Sequence, residues 1–162
     1  MEPQKVAVII PSYRVKEHIL DVLAEIGPEI DAIYVVDDKC PHGSGLFVEQ
    51  HCSDPRVKVL YNEVNLGVGG ATMAGFSQAQ QAGATVLVKI DGDGQMDPAQ
   101  IPLLIGPIVE GYADYSKGNR FFDLEVVSQM PLVRLLGNLG LSFLTKLSSG
   151  YWKNFDPTNG FL

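Results

Sequence analysis

Cysteine is scarce in this sequence: Cys40 and Cys52 are the only two. That is too few for a disulfide scaffold or a four-thiolate zinc site, and free thiols in a reducing compartment are the expectation. His18, His42 and His51 are the only histidines. None has metal-ligand spacing with either cysteine, so all three are read as structural or surface residues. Basic residues are few, 12 against 19 acids, for a net charge of −7. Coating nucleic acid needs a basic field, so no nucleic-acid partner is expected. No apolar stretch reaches the roughly 18 residues of a membrane-spanning helix. The apolar run after Met1–Lys5 is too short for the core of a signal peptide. Internal repeats and low-complexity tracts are absent too.

What remains is 162 residues, 46% hydrophobic and 19% charged, enough for the core of one ordinary domain. Charge is spread unevenly. Residues 1–116 carry 7 Lys/Arg and 16 Asp/Glu, a net of −9, whereas residues 117–162 carry 5 and 3, a net of +2.

Val6–Ile10 is a short, β-branched apolar run, read as a buried parallel strand. Similar runs at 32–36, 57–61 and 85–90 predict three more, and 112–116 is expected to add another. Apolar residues at helical spacing fall between them, at Ile19–Ile26, Leu46–His51, 65–82 and Ile101–Ile108. Asp97-Pro98 reads as an N-cap followed by proline in the first turn of the last of these. Strand and helix in alternation predict an open, mostly parallel α/β sheet with helices on both faces. Ligands of such sheets bind outside the carboxyl ends of the strands. Polar residues sit there in this chain: Ser12-Tyr13-Arg14, Asp37-Asp38, Asn62 and Asp91-Gly92-Asp93.

Asp91 and Asp93, one residue apart at a strand end, can reach one hard cation, and magnesium or manganese suits such oxygen ligands. A plain acidic turn is the alternative. An EF-hand counted from Asp91 would need Gly and Glu where Met96 and Pro102 stand. The glycines of 67–70 follow the third strand rather than the first, so they fit no dinucleotide fingerprint. They serve either ligand approach or tight packing. Asp37 and Asp38 can accept hydrogen bonds from a nucleobase or ribose, and Tyr13 can stack on a base. Met130–Trp152 is rich in Leu and Phe, with Arg134 and Lys146 on its polar side. It predicts an amphipathic helix, or two broken near Gly137 and Gly140, either ordinary core or a segment lying in a membrane interface.

Five motifs, taken in order, resemble those of the family 2 glycosyltransferases. They are Val8-Ile9-Ile10-Pro11-Ser12-Tyr13, Val35-Val36-Asp37-Asp38, Asn65-Leu66-Gly67-Val68-Gly69-Gly70-Ala71, Asp91-Gly92-Asp93-Gly94-Gln95 and Asp156-Pro157-Thr158-Asn159-Gly160-Phe161. The chain is most similar to the branch that transfers sugars to dolichyl or polyprenyl phosphate. The resemblance spans residues 5–162 and implies one GT-A catalytic domain over 1–162, with a Rossmann-like sheet. It also implies an inverting transfer from a UDP- or GDP-sugar with Mg2+ or Mn2+. By position, Pro11, Tyr13, Asp37, Asp38 and Asp91 would bind the donor. Asp91, Asp93 and Gln95 would match the metal motif, Arg120 an arginine that holds phosphate or acceptor, and Asp156 an acid near the reacting centre.

Arg14 departs from the pattern, standing where an acid usually follows the tyrosine motif closely. The chain also stops within or just after the last motif, so truncation at the C-terminus is expected. The expected acceptor is a lipid phosphate at the cytoplasmic face of a membrane, with self-association allowed for. A glycan-hydroxyl acceptor is an alternative, as is a nucleotide-binding module without activity. A nucleotidyltransferase would place a basic glycine-rich loop after the first strand, where Pro11-Ser12-Tyr13-Arg14 stands.

Overall fold

The computed structural model describes residues 4–118, 132–150, 152 and 161–162. The chain divides into two compact units, residues 1–116 with 161–162, and residues 117–160.

The first unit is an open parallel sheet of β1 (Val6–Ser12), β2 (Ala32–Asp37), β3 (Val57–Tyr61) and β4 (Val86–Lys89), in the order β3-β2-β1-β4. Its helices are α1 (Ile19–Ala24), α2 (Ser44–His51), α3 (Gly67–Gln81) and α4 (Ile101–Val109). Side chains alternate across the strands and feed two cores. Val6, Val8, Ile10, Ile33 and Val35 pack with Ile19, Val22, Leu23, Val48, Ile101 and Leu104, so α1, α2 and α4 cover one face. Ala7, Ile9, Tyr34 and Val36 meet Ala71 and Ala79 of α3 on the other. Central strands buried on both faces explain why β1 and β2 read as continuous apolar runs.

Helix α3 comes close to the sheet at Gly75, where an added Cβ would lie 2.5 Å from Ile9 Cγ2. At the opposite, amino ends of the strands, Arg56 Nη1 donates to Gly27 O at 2.6 Å and its Nη2 to Ile26 O at 3.2 Å. Asp54 Oδ2 holds the same guanidinium at 2.7 Å, tying the start of β3 to the loop after α1. Lys89 and Leu162 exchange both backbone hydrogen bonds, the signature of an antiparallel pair. Phe161 is buried in the same core as α4.

Asp97 caps as expected, its Oδ1 accepting from Ala99 N at 2.9 Å, and a 3-10 turn at Pro98–Gln100 leads into α4. The strand expected at 112–116 does not form. Instead α4 ends with Gly111 at φ 76. Tyr112 N donates to Pro107 O at 2.8 Å and Gly111 N to Ile108 O at 3.0 Å. This is a Schellman cap: it spends the N–H groups that a strand would need and leaves Tyr112 and Tyr115 exposed.

In the second unit, α5 (Leu132–Ser149) is one continuous helix. The expected break at Gly137 and Gly140 is absent, because glycine costs a helix only about 1 kcal/mol and no proline interrupts the run. Val133, Leu136, Leu139, Phe143, Leu144 and Leu147 recur mostly at spacings of three or four, and all are exposed, as is Trp152. Among the described residues, no helix is long and apolar enough to cross a membrane.

Candidate functional site

The strand order reverses between β1 and β4, because β2 and β3 lie on one side of β1 and β4 on the other. A crevice opens at the carboxyl ends of strands at such a switch point. Here it is a cleft of about 520 Å³, lined by residues that include Pro11, Tyr13, Asp38, Asp91 and Asp93. Those five were all expected from the sequence. Ser12, Val15, Asn65, Gly67, Val68 and Ala71 also line it. Asn65 and Val68 belong to the glycine motif of 65–71, to which the sequence assigns no individual ligand contacts.

The two acids at the end of β2, Asp37 within it and Asp38 just after it, have different surroundings. Asp37 is buried beneath the site, its Oδ1 accepting from Cys40 N at 2.7 Å and its Oδ2 from Gly45 N at 2.6 Å. It does not line the cleft. Gly45 has no room for a side chain, since a Cβ would lie 2.8 Å from Tyr61 Cε1 and 2.9 Å from Asp37 Cβ. Asp38 faces the other way. Its Oδ1 accepts from Asn62 Nδ2 at 2.8 Å and from Leu66 N at 2.9 Å, so the carboxylate is held in the buried wall of the cleft and the β3–α3 loop is fixed around it.

Tyr13 is half exposed, with the Arg14 guanidinium 5.2 Å from its ring centre. Arg14 adopts φ 60, a left-handed conformation that costs a non-glycine residue about 1 kcal/mol. Its N–H donates to Cys40 Sγ at 3.2 Å, and the Ser44 hydroxyl lies 3.1 Å from the same sulfur. Burial pushes the Cys40 thiol up. The Ser44 hydroxyl and the N–H groups of Arg14, Ser44 and His42 outweigh that and bring it below its ordinary value. The thiol thus joins the loops after β1 and β2, the two that carry Tyr13 and Asp38. The Ser12 hydroxyl, buried on the cleft wall, is the one buried side-chain polar atom without a hydrogen-bond partner among the described residues.

The acidic turn completes the floor. Asp91 Oδ1 pairs with Lys89 Nζ at 2.5 Å, and Asp93 Oδ1 accepts from Gln95 N at 3.0 Å. Gln95 itself is exposed and does not line the cleft. Gly92 packs inward, where a Cβ would lie 2.9 Å from Ile19 Cδ1, and Gly94 adopts φ 74. Both glycines are therefore required by the fold of the turn itself. Gly67 begins α3 at φ 72, while Gly69 faces open space. Gly67 N donates to Asn65 Oδ1 at 3.1 Å, but Leu66 at the N-cap offers no side-chain cap, so the next N–H groups of the first turn of α3 face the cleft uncapped.

Among the described residues, no group of three or more His, Cys, Asp or Glu side chains could hold a metal by itself. Two carboxylates sharing a cleft suit a cation such as magnesium, which is commonly held by one or two protein carboxylates together with substrate phosphates and water. Asp91 and Asp93 fit that habit. Arg120, expected to hold phosphate or acceptor, and Asp156, expected near the reacting centre, lie outside the described residues.

The sequence profile of Glycosyl transferase family 2 matches residues 7–161. The UDP-N-acetylglucosamine–dolichyl-phosphate N-acetylglucosaminyltransferase of Methanococcus voltae is 31% identical, over 94% of this chain and 66% of its own length. The polyprenol monophosphomannose synthase of Mycolicibacterium smegmatis is 33% identical, over 82% of this chain and 51% of its own. The chain thus spans between half and two thirds of these relatives. Among solved structures, S. aureus TarS 1-349 in complex with UDP is 25% identical with a TM-score of 0.52, over 68% of this chain and 34% of that one. Glucosyl-3-phosphoglycerate synthase from Mycobacterium tuberculosis, in complex with Mn2+, UDP and glucosyl-3-phosphoglycerate, is 16% identical. It superposes with a TM-score of 0.66 over 98% of this chain and 55% of that one, a likeness of fold.

Proposed function

The chain belongs to glycosyl transferase family 2, and from that membership we propose that its cleft binds the nucleotide-sugar donor of an inverting transfer to a polyprenyl or dolichyl phosphate. The observation that carries this is the meeting of Tyr13, Asp38, Asp91 and Asp93 in one cleft at the switch point of the sheet. Tyr13 offers a face for the base, and Asp38 a fixed acceptor for base or ribose donors. The first turn of α3 offers N–H groups to the diphosphate. Asp37 supports this arrangement from below by holding the β2–α2 loop. Asp91 and Asp93 would hold Mg2+ or Mn2+, which when bound supplies positive charge to a departing diphosphate.

In the transfer, a phosphate oxygen of the acceptor forms a bond to the anomeric carbon from the side opposite the leaving group. The bond to the nucleoside diphosphate breaks, and that group leaves with the electron pair. An anionic acceptor needs positioning rather than a base, which is the role assigned to Arg120. Asp156 would serve as base if the acceptor were a hydroxyl. The names of the two relatives, which act on dolichyl phosphate and make a polyprenol phosphate sugar, support the lipid acceptor. So do the exposed apolar stripe of α5 and Trp152, in a segment with net charge +2. We take that stripe to lie against the cytoplasmic face of a bilayer.

Calorimetry with UDP and GDP, with and without Mn2+, tests the donor site. One nucleotide should bind, and more tightly with the metal. In Asp93→Asn that gain should vanish while stability changes by no more than about 0.5 kcal/mol, because asparagine keeps the Oδ1 that accepts from Gln95 N and polar substitutions outside the core usually cost no more. Absence of binding to either nucleotide refutes the donor reading; equal affinity with and without metal refutes the metal bridge. Flotation with anionic liposomes, weakening with salt, is the matching result for the membrane contact.

A further inference from the structure

Lys89 ends β4 after Val86, Leu87 and Val88, and its side chain is only 8% exposed. Among the described residues, its ammonium has a single hydrogen-bond partner, Asp91 Oδ1. An ammonium held away from water is costly unless it is well paired and its remaining donors are satisfied. One bond leaves two of its three donors unfilled. Leu87, two residues earlier on the same side of the strand, is packed in the α3-side core, so an apolar residue at 89 would continue that pattern. The charge is therefore out of place as core, and its partner is one of the two acids assigned to the cation.

We propose that Lys89 is a positioning residue that couples cation binding to nucleotide binding. The proposal rests on the donor reading above and assigns a task which that reading leaves without a residue. In the empty cleft Lys89 offsets one of the two negative charges of Asp91 and Asp93 and holds Asp91 in place. A divalent cation arriving alone meets a net charge of −1 from these three groups and must compete with the ammonium for Asp91. Lys89 does not itself line the cleft but stands directly behind Asp91, which does; a diphosphate bound there brings negative charge and phosphate oxygens toward its two unfilled donors. The ammonium then shares its bonds between Asp91 and phosphate, and Asp91 is released to the cation. Each ligand strengthens the other through Lys89, and the coupling is reciprocal.

Binding of Mn2+ can be read without catalysis from the loss of the free-ion signal in electron paramagnetic resonance. The full 162-residue chain, Lys89→Met, Lys89→Gln and Lys89→Arg are each titrated alone and with saturating UDP or GDP. Circular dichroism confirms the fold of each. In the unaltered chain Mn2+ alone should bind weakly and the nucleotide should raise its affinity. In Lys89→Met and Lys89→Gln, Mn2+ alone should bind about tenfold more tightly, as expected for removing one positive charge a few ångströms away in a partly solvated site. The gain from nucleotide should shrink by a similar factor, and Lys89→Arg should restore most of it. Unchanged Mn2+ affinity and unchanged coupling in the neutral variants would overturn the proposal while leaving the donor reading intact. If Met fails to fold, the Gln and Arg variants decide between the same outcomes. Nucleotide binding with no Mn2+ binding in any chain would overturn the cation assignment and this proposal with it.

Discussion

Replacing Asp37 by Asn separates a ligand contact from a support for the loop beneath it. The carboxylate is 3% exposed. Its oxygens accept from two backbone N–H groups, Cys40 at 2.7 Å and Gly45 at 2.6 Å. A hydrogen bond to a charged group contributes about 1.5–3 kcal/mol, and a buried N–H left without a partner costs about 1–3 kcal/mol. Asparagine keeps one acceptor and turns an NH2 toward the other N–H, so one bond is lost outright and the second becomes neutral. The loop cannot slide to compensate, because Gly45 is already wedged against Tyr61, Val59 and Asp37. The expected loss is about 3 kcal/mol, within a range of about 2–4. For a chain of this size that lowers Tm by roughly 6–12 °C. Urea unfolding followed by circular dichroism measures it, with an unchanged m value as the sign that the unfolded state is not responsible. At a temperature where the variant is folded, nucleotide affinity should stay within about threefold, less than 1 kcal/mol. A variant as stable as the parent that binds nucleotide tenfold more weakly would refute the reasoning and make Asp37 a ligand contact.

Two other outcomes follow from backbone and charge. Lys39 adopts φ 52 and is exposed, so Lys39→Gly should stabilise the chain by up to about 1 kcal/mol through relief of the left-handed conformation, measured as a rise in the urea midpoint. Asp54 is held below its ordinary value by Arg56. Its folded pKa is thus below its unfolded one, so the pair contributes stability above about pH 4 that is lost as pH falls through the folded value. With both side chains about a quarter exposed, that part is about 1 kcal/mol, and Arg56→Ala should flatten the acid limb of a stability–pH curve. An unchanged limb would show that the pair contributes nothing.

The fold was legible because the buried strands are β-branched runs and the site residues follow within a few positions of a strand's end. Tyr13, Asp38, Asp91 and Asp93 could therefore be placed at one edge before their neighbours were known. The division of labour between Asp37 and Asp38 was not legible. Adjacent residues at a strand end point to opposite faces, and which face holds the cleft depends on where α2 and α3 pack. Tyr112 and Tyr115 looked like strand residues by their preference, but the cap at Gly111 decided the local backbone. Two glycines looked like a break in α5, although length and the absence of proline favour continuity. Lys89 passed as the tail of an apolar run, because only the packing of β4 shows that its charge is enclosed.

The switch between β1 and β4 also has a kinetic side. Val6 pairs with Val86, so the seam that closes the cleft joins segments eighty residues apart, whereas β1, β2 and β3 pair with partners much nearer in sequence. Closing so long a loop carries an entropy cost that is met only when the seam forms, and pairings of this kind slow folding. During synthesis, the half of the cleft made by Tyr13 and Asp38 can exist well before Asp91 has been added to the chain. A nucleotide that needs both halves therefore finds nothing to hold until β4 has docked. Its stabilisation then falls on the step in which that seam reopens, so it lengthens the lifetime of the folded chain without hastening its arrival.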